Sequence, residues 1–182
     1  MRIINSKLSG CYEIIPEIFS DERGQFVKTF HNSIFEKYSL CSDFKEEYYS
    51  VSGKNVLRGL HFQLPPEDHV KLVYCPFGLA IDVVVDLRIN SITYGQHATF
   101  ELSSLKANSI YIPSGMAHGF CAMQDNTVMI YKTTTVYSPG KDTGISWDSA
   151  NIDWPKVDYI ISERDKSLID LNEFVSPFTI EL

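Results

Sequence analysis

Leu79-Ala80-Ile81-Asp82-Val83-Val84-Val85-Asp86-Leu87 is the stretch on which the fold turns. Apolar and β-branched residues run through it almost unbroken, the pattern of a strand buried on both faces. Two acids sit inside that run. A buried carboxylate is costly unless paired, so at least one of Asp82 and Asp86 is expected to meet a cation. Further short β-like runs flank it, predicted over 25–30, 56–62, 70–74, 97–102, 109–112 and 127–135. Breakers separate them: Arg23-Gly24, Pro65-Pro66, Pro76-Phe77-Gly78, Pro113-Ser114-Gly115 and Pro139-Gly140. Many short strands with turn signals between them indicate a sandwich or barrel, not alternating strands and helices. Helix signals are few. Ser33-Ile34-Phe35-Glu36 reads as a capping box opening a short helix that ends near Tyr38, and Ser162-Glu163-Arg164-Asp165 could open a second. With no repeat, linker or low-complexity tract, one β-rich domain over 1–182 is expected.

Composition bounds the function classes. The chain has 182 residues, 44% hydrophobic and 21% charged, with Lys+Arg 16 against Asp+Glu 23 and a net charge of −7. Such a chain can bury a core without covalent staples. The acidic balance argues against nucleic acid as a partner, which demands a basic patch or stripe, but leaves room for a local basic pocket. Cys11, Cys41, Cys75 and Cys121 are scattered and form no C-x-x-C pair, so neither a zinc knuckle nor a redox motif is signalled. The N-terminus lacks a signal-peptide apolar core, and the most apolar stretch, Leu72 to Val85, is broken by Pro76, Gly78 and Asp82. A soluble, cytoplasmic protein without a membrane partner is the expectation.

Two polar clusters could carry chemistry. In the first, Leu57-Arg58-Gly59-Leu60-His61-Phe62-Gln63 followed by Lys71, strand alternation pairs Arg58 with Leu60 and sets His61 and Gln63 on the other face. Gly59 could bulge the strand and change that assignment. The second is Pro113 through Phe120, where His118 reads by itself as a turn histidine, just as His61 by itself reads as a structural one. A metal site would borrow His61, Glu67 and His118, but Gln63 stands where metal-binding jelly rolls place a second histidine, and an amide is a poor ligand beside imidazole. No metal is therefore assigned.

Taken together and in order, Asp21-Glu22-Arg23-Gly24, Val56 through Gln63, Lys71-Leu72-Val73, Asp82 through Arg88, Ile112-Pro113 with Ala117-His118-Gly119-Phe120, Tyr131, Tyr137-Ser138-Pro139, Ile145-Ser146-Trp147, Ile152-Asp153-Trp154-Pro155 and Ser162 through Asp165 closely resemble the dTDP-4-dehydrorhamnose 3,5-epimerase family over nearly the whole chain. The resemblance implies an all-β, cupin-type jelly roll with a few short helices. It further implies a homodimer that epimerises a nucleotide-diphosphate 4-keto-6-deoxysugar without metal or cofactor. Epimerisation beside a ketone needs a base on one face, an acid on the other, and positive charge at the enolate oxygen. By resemblance His61 is the base, oriented by Asp165. Tyr131 is the acid, and Lys71 with Arg58 stabilises the enolate. Arg23, Arg58, Lys71 and His118 would hold the pyrophosphate, Gln63 would line the substrate site, and Phe26 and Tyr137 would flank the nucleotide base.

The chain departs from the family where the base would bind. Lys28 replaces an expected glutamate, Glu46 and Tyr48 stand for Gln and Asn, and Asp142 stands for Glu. Thymine donates a hydrogen at ring nitrogen 3, whereas cytosine accepts there and donates from the adjacent amino group. Lys28 as donor and Glu46 as acceptor would suit cytosine, so a CDP-linked sugar inverted at carbon 5 alone stands beside the dTDP reading, in which Lys28 and Glu46 pair with each other. A metal-dependent cupin enzyme and a non-catalytic sugar-nucleotide-binding jelly roll are the remaining alternatives.

Overall fold

A computed structural model describes residues 1–180. Two antiparallel sheets dominate it. The first comprises β1 (Arg2–Asn5), β2 (Tyr12–Ile15), β5 (Glu46–Ser52), β7 (Lys71–Phe77), β10 (Ser109–Ile112) and β12 (Thr127–Thr133), in the order β1-β2-β10-β7-β12-β5. The second comprises β6 (Leu57–Gln63), β8 (Leu79–Asp86), β9 (His97–Ser103), β11 (Met116–Ala122) and β13 (Asp142–Gly144), in the order β13-β6-β11-β8-β9. A separate hairpin, β3 (Ile18–Asp21) with β4 (Gly24–Val27), pairs only with itself. The two helices are short, α1 (Asn32–Lys37) and α2 (Glu163–Lys166). This is the expected jelly roll.

Alternation along each strand sorts side chains between three layers. Between the sheets, Val73, Cys75, Ile110, Ile112 and Met129 meet Ala80, Val84, Ala98, Leu102 and Phe120. Behind the five-stranded sheet, Leu57, Leu60, Val83, Val85, Ala117 and Cys121 pack under Ile145, Trp154 and Phe178 of the C-terminal segment. Behind the six-stranded sheet, Ile14, Leu72 and Tyr111 pack under Phe35 of α1. β8 and β11 are thus covered on both faces, which explains the unbroken apolar run of β8.

Its two acids both find partners. Arg88 holds Asp86 through Nε and Nη2 at 2.8 Å each, and the Ser91 and Thr93 hydroxyls donate to the same carboxylate. Asp82 points into the sandwich and meets His118, its Oδ2 lying 2.7 Å from Nε2.

Some boundaries differ from expectation for local reasons. β4 ends at Val27 because Phe30 turns away to pack on Phe35 and Phe44. The capping box at Ser33 does not form. α1 starts two residues earlier, with His31 at its N-cap, and the Ser33 hydroxyl lies 3.0 Å from the His31 ring. At α2 the predicted cap is present: the Ser162 hydroxyl accepts the Asp165 N–H at 3.1 Å. His118 is not in a turn but in β11, every residue of which is buried.

Candidate active site

The site lies between the two sheets, and a local irregularity in β6 makes it possible. In the β6–β11 ladder His61 faces His118 and Arg58 faces Phe120, so Gly59 and Leu60 together oppose Gly119 alone. This is a bulge on β6. It puts Leu57, Leu60 and Phe62 in the outer core while Arg58, His61 and Gln63 all face the cavity. Simple alternation had assigned Arg58 to the face of Leu60; the bulge reverses that assignment. Glycine is required at the bulge. Gly59 has φ +134°, and a Cβ there would lie 2.6 Å from the Gly119 Cα.

The resulting cavity, about 380 Å³, is walled by both sheets. The five-stranded sheet contributes Arg58, His61, His118 and Asp142, and the six-stranded sheet contributes Glu46, Tyr48, Lys71, Tyr131 and Thr133. His61 Nε2 lies 2.8 Å from Asp165 Oδ1, and the Gly59 N–H donates to the other carboxylate oxygen at 3.1 Å. Burial would raise the Asp165 pKa, but the bond and charge of His61 and the Gly59 N–H outweigh it and hold the carboxyl below its usual range. An ionised carboxylate can only accept, so Nε2 must carry hydrogen. In the neutral ring Nδ1 then keeps the lone pair. α2 sets this up, because its Ser162 cap fixes the turn that carries Asp165.

Lys71 sits on the inner face of β7 and is 6% exposed. Its Nζ donates to the His61 carbonyl at 3.1 Å, and burial pulls its pKa down to about 8 although Asp142 and Asp82 oppose the shift. Tyr131 is also buried, its hydroxyl 3.2 Å from that of Ser50. Burial drives its pKa far above the ordinary phenol range, so it is a neutral proton carrier at any working pH. The constellation therefore has an imidazole on one wall, a protonated phenol on the opposite wall and an ammonium beside them. With its imidazole neutral, such an arrangement can move protons between the two faces of a bound carbon acid.

The profile of the family described as dTDP-4-dehydrorhamnose 3,5-epimerase matches residues 5–173. The chain belongs to that family. It is 43% identical over 177 residues to the dTDP-4-dehydrorhamnose 3,5-epimerase of Methanothermobacter thermautotrophicus, covering 94% of this chain and 95% of that one. A solved dTDP-6-deoxy-D-glucose-3,5-epimerase of Legionella pneumophila, in complex with dTDP-4-keto-L-rhamnose, superposes with a TM-score of 0.94 at 33% identity over 99% of both chains. A 4-keto-6-deoxy sugar epimerase from the novobiocin gene cluster of Streptomyces spheroides gives 0.90 at 34% identity, over 95% of this chain and 88% of that one. The protein is accordingly an isomerase, an epimerase of sugar nucleotides.

Not every residue expected at the site of this epimerase lies in the cavity. Arg23 and Phe26 are on the β3–β4 hairpin and Lys28 just follows it; none of them lines the cavity. Arg23 is paired with Asp21. The expected Lys28–Glu46 pair is not among the ion pairs of the described residues; instead Glu46 Oε2 accepts the Tyr137 N–H at 2.7 Å. Gln63 is present at the wall, but its amide is engaged. Nε2 donates to the Glu67 carbonyl at 2.8 Å and the Val136 carbonyl at 3.2 Å, and Oε1 accepts the Ser138 N–H at 2.6 Å. It clamps the segment that carries Tyr137. His118 faces the cavity with its Nε2 committed to Asp82, whose carboxyl burial pushes up.

Several lining residues carried no sequence signal. Arg164 pairs with Asp142 at 2.7 Å and is the neighbour of Asp165 on α2. His69 has its Nδ1 3.0 Å from the Thr135 hydroxyl, and burial together with the Lys71 charge drops its pKa to about 3, so its ring is neutral. Ser50 meets the Tyr131 hydroxyl. Their residue types are ordinary, and only the fold brings them to the cavity.

Proposed function

We propose that this epimerase inverts carbons 3 and 5 of a dTDP-linked 4-keto-6-deoxysugar. The observation that carries the proposal is that His61 and Tyr131 project from different sheets onto one cavity. His61 Nδ1 takes the proton beside the ketone, and the C–H electron pair passes into an enolate whose charge rests on the carbonyl oxygen. The Lys71 ammonium and the Arg58 guanidinium stabilise that oxygen. Tyr131 then returns a proton to the opposite face of the carbon, and solvent restores the phenol. No step draws on a cofactor.

The choice of dTDP over CDP rests on one support: the Legionella relative is in complex with a dTDP-linked sugar. The test is solvent deuterium incorporation, followed by NMR, with dTDP- and CDP-linked 4-keto-6-deoxyglucose. Exchange at both carbons is expected with the dTDP sugar. Exchange confined to the CDP sugar would overturn the nucleotide assignment, and exchange with neither would overturn the epimerase reading itself.

The outlying hairpin supports a homodimer. An isolated two-stranded hairpin is marginally stable in water, and this one exposes Phe19 at 58% and Phe26 at 62%. A second copy would cover those rings and receive Arg23 and Phe26 in its own cavity. In that case Arg23→Ala and His61→Asn, each inactive alone, regain activity when mixed, because one cavity of the heterodimer is intact. A monomer by sedimentation, or no recovery on mixing, would refute the arrangement. The four cysteines are unpaired, which fits the reducing cytoplasm, and among the described residues no helix is long and apolar enough to cross a membrane.

A further inference from the structure

We propose that Tyr48 is a positioning residue for Tyr131: its ring, stacked on that of the acid, holds the phenol over the substrate and keeps water from the face that Tyr131 protonates. The inference rests on the epimerase reading. The two tyrosines face each other directly in the β5–β12 ladder. Their ring centroids lie 4.8 Å apart and the planes are within 15° of parallel. β5 is the outermost strand of its sheet, so without Tyr48 the outer face of Tyr131 would open to solvent. Tyr48 itself is 43% exposed, whereas Tyr131 is 7% exposed.

Three groups from two strands therefore hold the acid. Tyr48 on β5 covers one face of its ring. His118 on β11, across the cavity, meets it nearly edge-on with centroids 6.0 Å apart at 70°. Ser50, two residues beyond Tyr48 on the same strand, meets the hydroxyl. A phenol held on its face, its edge and its tip has one orientation open to it. The stack has a further role besides area. An offset pair of this kind shifts orientational populations by a few-fold to about tenfold, enough to set how often a proton is returned from the correct side.

The mechanism provides a readout that separates positioning from binding. His61 removes the proton and can also return one to the same face. If Tyr131 is poorly placed, the enolate still forms, picks up solvent deuterium through His61 and reverts without inversion. The quantity to measure is thus the ratio of deuterated, uninverted sugar to inverted product in D2O, using the full-length protein and dTDP-4-keto-6-deoxyglucose. Tyr48→Ala is expected to raise that ratio about tenfold while changing KM less than about threefold. Tyr48→Leu, which restores bulk but cannot stack, should behave like Tyr48→Ala, and Tyr48→Phe, which keeps the ring, should bring the ratio back toward wild type. An unchanged ratio in both Tyr48→Ala and Tyr48→Leu, whatever happens to overall rate, would overturn the inference. So would full restoration by leucine. Absence of any exchange in the wild-type protein would instead overturn the epimerase reading on which the inference stands.

Discussion

Replacing His61 by asparagine is expected to lower kcat about a thousandfold and to abolish solvent deuterium exchange with it, leaving the fold intact. A positioned general base contributes about 10²- to 10⁴-fold to a proton transfer, and that contribution is lost with the His61 ring. Asparagine is the informative substitution because it keeps a polar amide beside Asp165, whose carboxylate meets His61 Nε2 at 2.8 Å, although the shorter side chain reaches that carboxylate only through water. Alanine would leave the nearly buried Asp165 carboxylate without its principal partner, and an unpaired buried charge is strongly destabilising. Loss of activity would then be confounded with loss of structure. With asparagine, urea unfolding should give a stability within about 1 kcal/mol of wild type, the scale of a single hydrogen bond. Exchange persisting within tenfold of wild type would show that His61 is not the base.

Lys71→Met should cost about 10²- to 10³-fold in kcat, the usual effect of removing one donor from a developing oxyanion, and yet make the protein more stable at pH 7. The reason is burial. An ordinary lysine titrates near 10.5, and burial pulls Lys71 down to about 8. Between those values the unfolded chain binds a proton that the folded one has released, so wild-type stability rises as pH climbs from about 8 to about 10.5. Below about 8 both states are charged, and the full penalty for burying the ammonium stands. At about 1.4 kcal/mol per pKa unit the penalty is about 3 kcal/mol. Losing the bond from Nζ to the His61 carbonyl returns about 1 kcal/mol of that. Methionine fills a similar volume without charge, so urea unfolding at pH 7 should show a gain of about 2 kcal/mol that vanishes near pH 9.5 and reverses above it. A variant less stable than wild type at pH 7 would contradict this account. The same titration predicts that wild-type kcat/KM falls as pH rises through about 8, because the neutral amine no longer stabilises the enolate. A catalytic group that weakens its own fold is the expected cost of placing charge in a dry cavity.

Much of the fold was legible in the residues themselves. The apolar run of β8 signalled a strand covered on both faces, and its two acids signalled buried partners, found in Arg88 and His118. Two site-forming strands escaped the pattern. β11 reads Met-Ala-His-Gly-Phe-Cys-Ala, poor in β-branched residues, and is a strand because β6 and β8 pair with it on either side. β5 begins with two glutamates and presents Tyr49 and Val51 to solvent, so its alternation carries little hydrophobic contrast.

The chemistry divides in the same way. His61, Lys71, Tyr131 and Asp165 were named through the resemblance of the ordered motifs to the family; taken alone, His61 read as a structural histidine. Which of them share a wall was decided only by the tertiary structure. The Gly59 bulge turns Arg58 onto the face of His61 against simple alternation, and the pairing of β5 with β12 lays Tyr48 on Tyr131. It is also the fold that sets Arg23, Phe26 and Lys28 apart from the cavity on a hairpin that pairs with neither sheet. The physical reason is that side-chain direction along a strand follows a period of two until a single extra residue breaks it, and contact across a ladder depends on a partner strand far away in the chain. By itself, then, the sequence determined a β sandwich and a pair of buried carboxylates. The tertiary structure decided that the His61 imidazole and the Tyr131 phenol face one cavity from opposite sheets, the arrangement that inversion of a carbon requires.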